Sequence, residues 1–526
     1  MSHIKTLKIQ GFKKFTSLQV NFNEKMNILV GENEAGKSTI LEAIQIVINQ
    51  QYKNSDKAVL MDLFNVDQIK KFKENPSVET LPSITIELEF VLDVKDPNLS
   101  VFYGEENSHP APTPGYGITF ECKYDDRIDP TIEEVIKNKE IPCEYYSLTW
   151  KTFANRNYQS VKKPFNLLVI DTSSSSVSPS FNYYNRTLFA SKYDNLTRLR
   201  VKNDFRAKLE AAFRDLNLKK IDSDREFGID HKKLILESAI SVFEGAIALE
   251  NRGSGMENLI KTKIALEKEN NVDVILIEEP ETHLSISNLK KMLGEIESER
   301  GNSQVIVTTH NNLIASGLRL SNVLWIGNDS VKNLNYLNRE VVDFFCKADH
   351  NSFLELLLSE KVFIVEGAAE YILLPWLYKL KTKRTMGEDG VSMISGRGIT
   401  YKKYLSLATG LNKKVAVLAD NDGREKRIKE VQEANACYEN HQIFMPTDIS
   451  DSTFEVALYN VNKETISESI TTNVDDSKCI YKGKEVDKAL YAMLDDKAQA
   501  AYILASREVN LKIPGYIDKA IEWLRR

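Results

Sequence analysis

The chain reads as two α/β domains in series, the second built on a parallel sheet with its polar residues at the carboxyl ends of the strands. Three observations carry that expectation. The apolar run Met26-Asn27-Ile28-Leu29-Val30 enters a glycine-bearing loop and then a helical pattern from about Thr39. Two more apolar runs, Val274 to Ile277 and Val305 to Val307, end in Glu278, Glu279 and His310. Beyond residue 360 strand and helix patterns alternate again, and acids close two of the strand runs.

At 526 residues the chain has length for two to four domains with substantial cores. Apolar content of 42% and charged content of 27% are those of an ordinary soluble protein. The start, Met1-Ser2-His3-Ile4-Lys5, has no apolar targeting core, and no apolar run approaches the ~20 residues that cross a bilayer. Cys122, Cys143, Cys346, Cys437 and Cys479 make neither a CxxC pair nor a metal spacing, which suits a reducing cytoplasm. A net charge of −6 excludes a uniformly basic nucleic-acid coat but leaves room for local basic patches.

In chain order, Leu18, Val20 and Phe22 alternate with polar neighbours, as a half-buried strand does, and Ile84, Ile86, Leu88 and Phe90 repeat the pattern. Between them stands Gly31-Glu32-Asn33-Glu34-Ala35-Gly36-Lys37-Ser38, a full match to GxxxxGK[ST]. The glycines let the backbone wrap so that its N–H groups and the following helix N-terminus face a polyphosphate. Lys37 would reach the β- and γ-phosphates and the Ser38 hydroxyl would bind Mg²⁺, so Gly31, Asn33, Gly36, Lys37, Ser38 and Thr39 are the candidate nucleotide contacts. This constellation predicts binding of a nucleoside triphosphate.

The Gly/Pro-rich stretch Gly104 to Gly117 and the run Ser173 to Ser176 read as loops. Leu196 to Leu249 reads as helical, and Arg198, Arg200, Lys202, Arg206, Lys208 and Arg214 make its first part basic. That face is either simply solvated or a surface for DNA or a partner. A helical pattern over Ser352 to Leu358 leads into a new strand, Lys361 to Val365. The expected division is therefore an ATPase domain over 1–345, with a helical insertion over about 155–245 as a dimerisation region, and a second domain over 346–526.

Glu278 and Glu279 close a buried strand. One can help hold Mg²⁺ through the nucleotide while the other, Glu279, orients the attacking water. His310, thirty residues on, is by itself an ordinary strand-end residue, but in this order it resembles the switch histidine of ABC-type ATPases. Asn251-Arg252-Gly253-Ser254-Gly255-Met256-Glu257-Asn258 is either a plain glycine turn or, by resemblance, a shortened ABC signature. That likeness implies that Ser254 and Gly255 face the γ-phosphate of a second subunit, and hence a homodimer or higher homo-oligomer. The usual LSGGQ is not present, no Q-loop is evident, and Glu278 stands where aspartate is common.

In the second half, Val362 to Val365 ends in Glu366-Gly367 with Glu370 one helical turn on, and Val415 to Ala419 ends in Asp420-Asn421-Asp422. On a parallel sheet these acids would meet at one edge. Two like charges about 4 Å apart repel by roughly 4 kcal/mol at an effective dielectric of ~20. Several carboxylates in one cleft therefore call for a cation, and all-oxygen ligands favour Mg²⁺, Mn²⁺ or Ca²⁺ over zinc.

Glutamate-glycine followed by DxD resembles the Toprim domain of topoisomerases, primases and OLD-family nucleases. An ABC-type ATPase joined directly to a Toprim domain is the arrangement of the OLD (overcoming lysogenization defect) family, and the resemblance spans essentially the whole chain. It implies further a glutamate downstream of DxD, matched by Glu455, and a late lysine before a helix with a Pro-x-Tyr-Ile segment, matched by Lys497 and Pro514-Gly515-Tyr516-Ile517. Read through that resemblance, Glu366, Glu370, Asp420, Asp422 and Glu455 hold two Mg²⁺ or Mn²⁺ ions, Glu366 doubles as base, and Lys497 stabilises the pentavalent phosphate. Arg397, Lys402 and Lys403 on one side, with Arg424, Lys426 and Arg427 on the other, grip DNA or form a salt-bridged surface. The implied function is an ATP-controlled, metal-dependent DNA endonuclease that cuts or nicks, in anti-phage defence, with a companion protein or nucleic-acid element as a further partner and no membrane. A RecF- or SMC-like DNA-binding clamp with an inactive Toprim appendage is the alternative. A topoisomerase or primase fits less well, since neither a zinc-binding cysteine set nor a separate tyrosine cleavage domain is evident.

Overall fold

The computed structural model describes residues 2–526 apart from 93–96, 109–112, 128–132, 172–187, 190–191, 217, 219–220, 222–226, 231–235, 252, 267–271, 283, 300, 312–313, 316–317, 319, 328–329, 335–336, 348–352, 397–400, 412, 437–438, 471–478 and 482. The expected serine loop at Ser173 to Ser176, and Arg397, lie outside the described residues. Among the described residues no helix is long and apolar enough to cross a membrane. The chain forms two compact units, Met1–Asn333 and Leu334–Arg526.

The first unit holds two sheets. β1 (His3–Phe12), β2 (Phe15–Asn21), β4 (Ile84–Val91), β5 (Tyr103–Gly104), β6 (Gly115–Tyr124) and β7 (Tyr146–Thr152) form an antiparallel sheet in the order β2-β1-β4-β6-β5, with β7 also on β6. Its alternating residues bury Leu18 and Val20 on β2 and Ile84, Ile86 and Leu88 on β4, as the period-two patterns require. The second sheet runs β14-β13-β3-β12-β11-β8, from β3 (Met26–Val30), β8 (Leu167–Asp171), β11 (Val274–Glu278), β12 (Gln304–Thr309), β13 (Val323–Ile326) and β14 (Val331–Asn333). All of its pairs are parallel except β13 with β14. A two-residue ribbon, β9 (Phe243–Glu244) and β10 (Ile247–Ala248), stands apart.

The helix Lys37–Asn49 shares one apolar core with both sheets, which explains why Ile40, Leu41, Ile44, Val47 and Ile48 are all buried. Its carbonyls at Ile46 and Ile48 accept from the Trp150 indole (2.8 Å) and the Tyr158 hydroxyl (2.8 Å), so β7 and its extension hold the helix in place. Gln304, 0% exposed on β12, ties the sheets together: its amide accepts from Ile4 N–H at 2.8 Å and donates to the Ile4 and Asn23 carbonyls, both at 2.9 Å.

The stretch 155–245 differs from the expected helical insertion. Leu167–Asp171 is a strand paired in parallel with β11, and the continuous helix is Asn195–Asp215. A four-residue apolar run such as Leu167 to Ile170 has no period of its own, so pairing with β11 decides its state. The division between units also falls earlier than 345/346, because the helix Arg339–Lys347 packs Phe345 against Phe353 and Tyr404 of the second unit, with ring centroids 6.1 and 5.0 Å away.

The second unit is a four-stranded parallel sheet in the order β16-β15-β17-β18, from β15 (Lys361–Val365), β16 (Val391–Ser395), β17 (Lys414–Leu418) and β18 (His441–Phe444). The runs Val362 to Val365 and Val415 to Leu418 are buried throughout, as strands covered on both faces must be. The helices Ala368–Thr382, Tyr401–Thr409 and Glu425–Asn435 follow β15, β16 and β17 in turn, and Phe454–Val461, Lys497–Ser506 and Gly515–Arg525 complete the unit.

Candidate active sites

In the first unit the register pairs Val30 with Thr309 and Thr308 with Glu278. The phosphate loop, the acidic strand end and His310 therefore reach the same sheet edge, with β12 between the other two strands. A cavity of about 350 Å³ opens there, lined by Asn33, Gly36, Lys37, Ser38 and Thr39 from the loop and by Glu279 and His310 opposite. Gly36 has φ +96°, and a Cβ on it would stand 2.3 Å from the Phe15 ring, so both conformation and space require glycine. Buried Gly31 is equally confined, with the Ile326 carbonyl 2.9 Å from any added Cβ.

Lys37 Nζ donates to the carbonyls of Gly31 (3.0 Å) and Glu32 (2.9 Å). Burial pushes its ammonium down to about 8, against the opposing pull of Glu279 and Glu281. A desolvated cation held by loop carbonyls fits a polyphosphate, whose negative charge would favour it. Glu279 sits at φ +41°, a conformation that L side chains rarely hold. Its amide donates to both the carbonyl and the hydroxyl of Thr308 at 3.1 Å, and its carboxylate lies 3.2 Å from His310 Nε2. His310 is held below the usual imidazole range by burial and then by Lys37. Glu278 ends β11 half-buried. Ser254 and Gly255 open the helix Ser254–Leu266; Gly255 is buried, and the Ser254 side chain is outside the described set.

In the second unit Val365 pairs with Leu418, which brings Glu366 and Asp420 to one edge. The five expected acids divide into two groups there. Asp420, Glu370 and Glu455 form the inner group, with Glu370 6% and Glu455 2% exposed. Asp420 is pushed up to about 8 by burial, then by the charges of Glu370, Glu455 and Glu366. Glu370 is pushed up to about 7, again by burial first. Lys497 Nζ donates to Glu455 Oε2 at 2.9 Å; burial pulls its ammonium down, but Glu455, Asp420 and Glu370 hold it above its ordinary value. Asp420 Oδ1 accepts from Phe454 N–H at 2.9 Å, at the start of the helix that carries Glu455.

Glu366 and Asp422 form the outer group, and Arg427 bridges them. Its Nη2 donates to Glu366 Oε1 at 2.7 Å and its Nη1 to Asp422 Oδ2. Glu366 is raised by burial against the pull of Arg427 and of the Asp420 amide. Among the described residues no three His, Cys, Asp or Glu side chains already stand at metal-ligand spacing. The donor set nonetheless fits hard divalent cations: every donor is a carboxylate oxygen, and the inner acids resist ionising together, a conflict that such a cation would relieve.

Sequence reasoning missed several supporting groups. Lys13 and Lys14 line the nucleotide cavity, and Lys14 Nζ donates to the Glu34 carbonyl at 2.8 Å; a Lys-Lys pair at a strand turn was the available signal. Glu281 accepts from the Thr309 hydroxyl (2.7 Å) and His310 N–H (2.8 Å), fixing the strand end that carries the histidine. Asn421, 0% exposed, accepts from Gly423 N–H (2.8 Å) and donates to the carbonyls of Pro446 (3.0 Å) and Asp448 (2.8 Å), so the middle residue of DxD shapes the turn. The expected basic flanks divide as well. Arg427 is turned inward, Lys403 pairs with Glu340 at 2.9 Å, and Arg424, Lys402 and Lys426 are exposed.

Comparison with known proteins bears on both sites. The family described as AAA ATPase domain matches residues 3–183, an AAA domain family matches 155–316, and the Overcoming lysogenization defect protein-like TOPRIM domain matches 357–422. A DNA replication and repair protein RecF of an Exiguobacterium species is 36% identical over 45 residues, 9% of this chain and 12% of the relative. The Septu protein PtuA of Bacillus thuringiensis is 54% identical over 41 residues, 8% of this chain and 10% of the relative. The chain thus spans only about a tenth of the curated relatives it matches. A solved C-terminal region of the Burkholderia pseudomallei OLD protein is 23% identical, with a TM-score of 0.25, over 32% of this chain and 97% of that one. The family matches define the class: an ATPase domain and a Toprim domain on one chain. More particularly, the match over 357–422 is to the OLD-like TOPRIM domain, which supports an ATPase–Toprim fusion of the OLD type.

Proposed function

We propose that this protein is an ATP-binding, metal-dependent DNA endonuclease of the OLD type, in which the ATPase domain controls cutting or nicking by the Toprim domain. The observation that carries this reading is the meeting of Glu366, Glu370, Asp420 and Glu455 with Lys497 at one sheet edge, from four separate segments of chain. A site of purely structural acids would neutralise each carboxylate in place, whereas here Asp420 and Glu370 are left in mutual repulsion. Glu370, Asp420 and Glu455 would hold one Mg²⁺ or Mn²⁺, with Glu366 and Asp422 holding a second. A pair of such ions supplies Lewis-acid clamping of the attacking and leaving oxygens of a phosphodiester. Lys497 places its ammonium beside the inner acids, where it can meet charge that builds on the phosphate, and Glu366 stands ready to accept a proton from water.

In the first unit Lys37, Ser38 and Thr39 would hold the nucleotide and its Mg²⁺, Glu278 would assist that ion, and Glu279 would orient water beside His310. Ser254 and Gly255 would complete the site of a second copy, which makes the working form at least a homodimer. A role in anti-phage defence is supported by the short PtuA similarity, and a companion protein or nucleic-acid element is the expected trigger. The RecF similarity favours one other reading, a DNA clamp that binds with ATP and does not cut.

Supercoiled plasmid incubated with the protein and Mg²⁺ or Mn²⁺, with and without ATP, separates the two. Nicked or linear product that disappears in Glu366→Ala, and whose nucleotide response changes in Lys37→Ala, supports the endonuclease. ATP turnover with fully intact plasmid selects the clamp.

A further inference from the structure

We propose that Arg427 occupies, in the ion-free protein, the place of the outer divalent cation, so that the two ions load in order and the second enters only when Arg427 leaves. This inference rests on the metal-dependent reading of the Toprim site. Its ground is an asymmetry between the two acid groups. Glu366 follows β15 and Asp422 follows β17, and one planar guanidinium donates to both. That is the pairing a bridging cation would make, and the fork geometry of arginine suits two carboxylates at once. Tyr401 adds a third contact to the same guanidinium.

The side chain is placed for this task. Arg427 lies in the first turn of the helix Glu425–Asn435, whose buried residue is Val431 alone, and its neighbours Glu425 and Lys426 are exposed. Yet the Arg427 side chain is 19% exposed, turned in toward the acids. The inner acids are served differently. Lys497 bonds to Glu455 alone, with its side chain 47% exposed, and no guanidinium spans Asp420 and Glu370 among the contacts described. An arriving cation therefore meets three inner acids beside one half-exposed ammonium, and two outer carboxylates already spanned by one guanidinium. Coulomb attraction sends the first ion inward.

A second ion must break the Arg427 fork. The displaced guanidinium stays tethered beside the site, where a phosphodiester is its natural new partner. Binding of DNA thus offsets the loss of the Glu366 and Asp422 contacts, and full ion loading becomes coupled to substrate. No bond is made or broken in this exchange; one cation replaces another.

Mn²⁺ titration of the intact, nucleotide-free chain, followed by electron paramagnetic resonance, tests it. Two Mn²⁺ about 4 Å apart give a spin-coupled spectrum, and a single ion does not. The unmodified protein is expected to show one uncoupled ion, and to acquire the coupled spectrum when a non-cleavable phosphorothioate duplex is added. Arg427→Gln is expected to bind the second ion about tenfold tighter or more without DNA, the range that a charge-assisted contact to each acid implies. Arg427→Lys, which can reach one carboxylate at a time, falls between. A thermal melt confirms folding of each variant, and a merely structural arginine would weaken metal binding on removal instead of strengthening it. A coupled pair in the unmodified protein without DNA, or equal second-ion affinity in Arg427→Gln, overturns the inference and leaves the nuclease reading intact. Failure of either protein to bind Mn²⁺ overturns both.

Discussion

Asp420→Asn should make the second unit more stable at alkaline pH while removing its capacity for a divalent cation. The ion-free carboxyl has its value displaced from 3.8 to about 8, by burial first and then by Glu370, Glu455 and Glu366. Because the folded state keeps a proton that the unfolded chain releases near pH 4, this group's contribution to stability is fully present below that pH. It falls as pH rises toward 8, the slope being set by the excess of protons bound in the native state. Each unit of displacement is worth 1.36 kcal/mol, but the inner acids share one field and Asp420 keeps some access to water, so relieving it at Asp420 alone should return about 2 kcal/mol at pH 8. Asparagine preserves the oxygen that accepts from Phe454 N–H, so the helix start is kept. Hydrogen exchange of the β15 and β17 amides in the intact chain, read by mass spectrometry at pH 5.5 and 8 with matched correction for intrinsic rates, measures this. The unmodified protein should lose protection at pH 8 and regain it with Ca²⁺; the variant should lose less, keeping only the part that Glu370 carries, and should regain nothing with Ca²⁺. Equal pH dependence in the two proteins would refute the claim that the inner acids oppose one another.

Further outcomes follow from the same geometry. Lys37→Ala, which removes a cation held by the Gly31 and Glu32 carbonyls, should weaken binding of a fluorescent ATP analogue by about 10- to 100-fold, the worth of a charge-assisted contact. Glu279→Gln should lower ATP turnover by roughly 10²-fold or more while leaving the analogue's affinity within about threefold, as expected of a group that acts on water rather than on the nucleotide. Gln304→Leu should destabilise the first unit by about 3 kcal/mol in urea, since it strips partners from Ile4 N–H and from the Ile4 and Asn23 carbonyls inside the core. Gly36→Ala should abolish nucleotide binding, because φ +96° and the Phe15 ring both refuse a methyl group; retained binding would show that the loop adapts.

Much of the fold was legible because its strands announce themselves. Met26 to Val30, Val274 to Glu278 and Lys361 to Val365 are apolar runs with sharp polar ends, and each folds as a strand over those residues. Leu167 to Ile170 was not legible, since a run that short acquires its state only by pairing with β11. Among site residues, the phosphate loop can be read because its glycine spacing is a backbone requirement. Lys13 shows only as half of a Lys-Lys pair, and Glu281 and Asn421 cannot be read, since each acts through a partner distant in sequence or through backbone it alone does not define.

The sequence by itself determined which atoms are available: a phosphate loop, an acidic strand end, and carboxylates at the ends of two later strands. Local order suffices for these, because strand, tight turn and helix start are chosen by neighbours in the chain. Only the tertiary structure decided which charges meet. It set Lys497 against Glu455 and folded Arg427 across Glu366 and Asp422, contacts that span 42, 61 and 5 residues. Coulomb energies depend on separation and burial, and neither is written in the order of the residues.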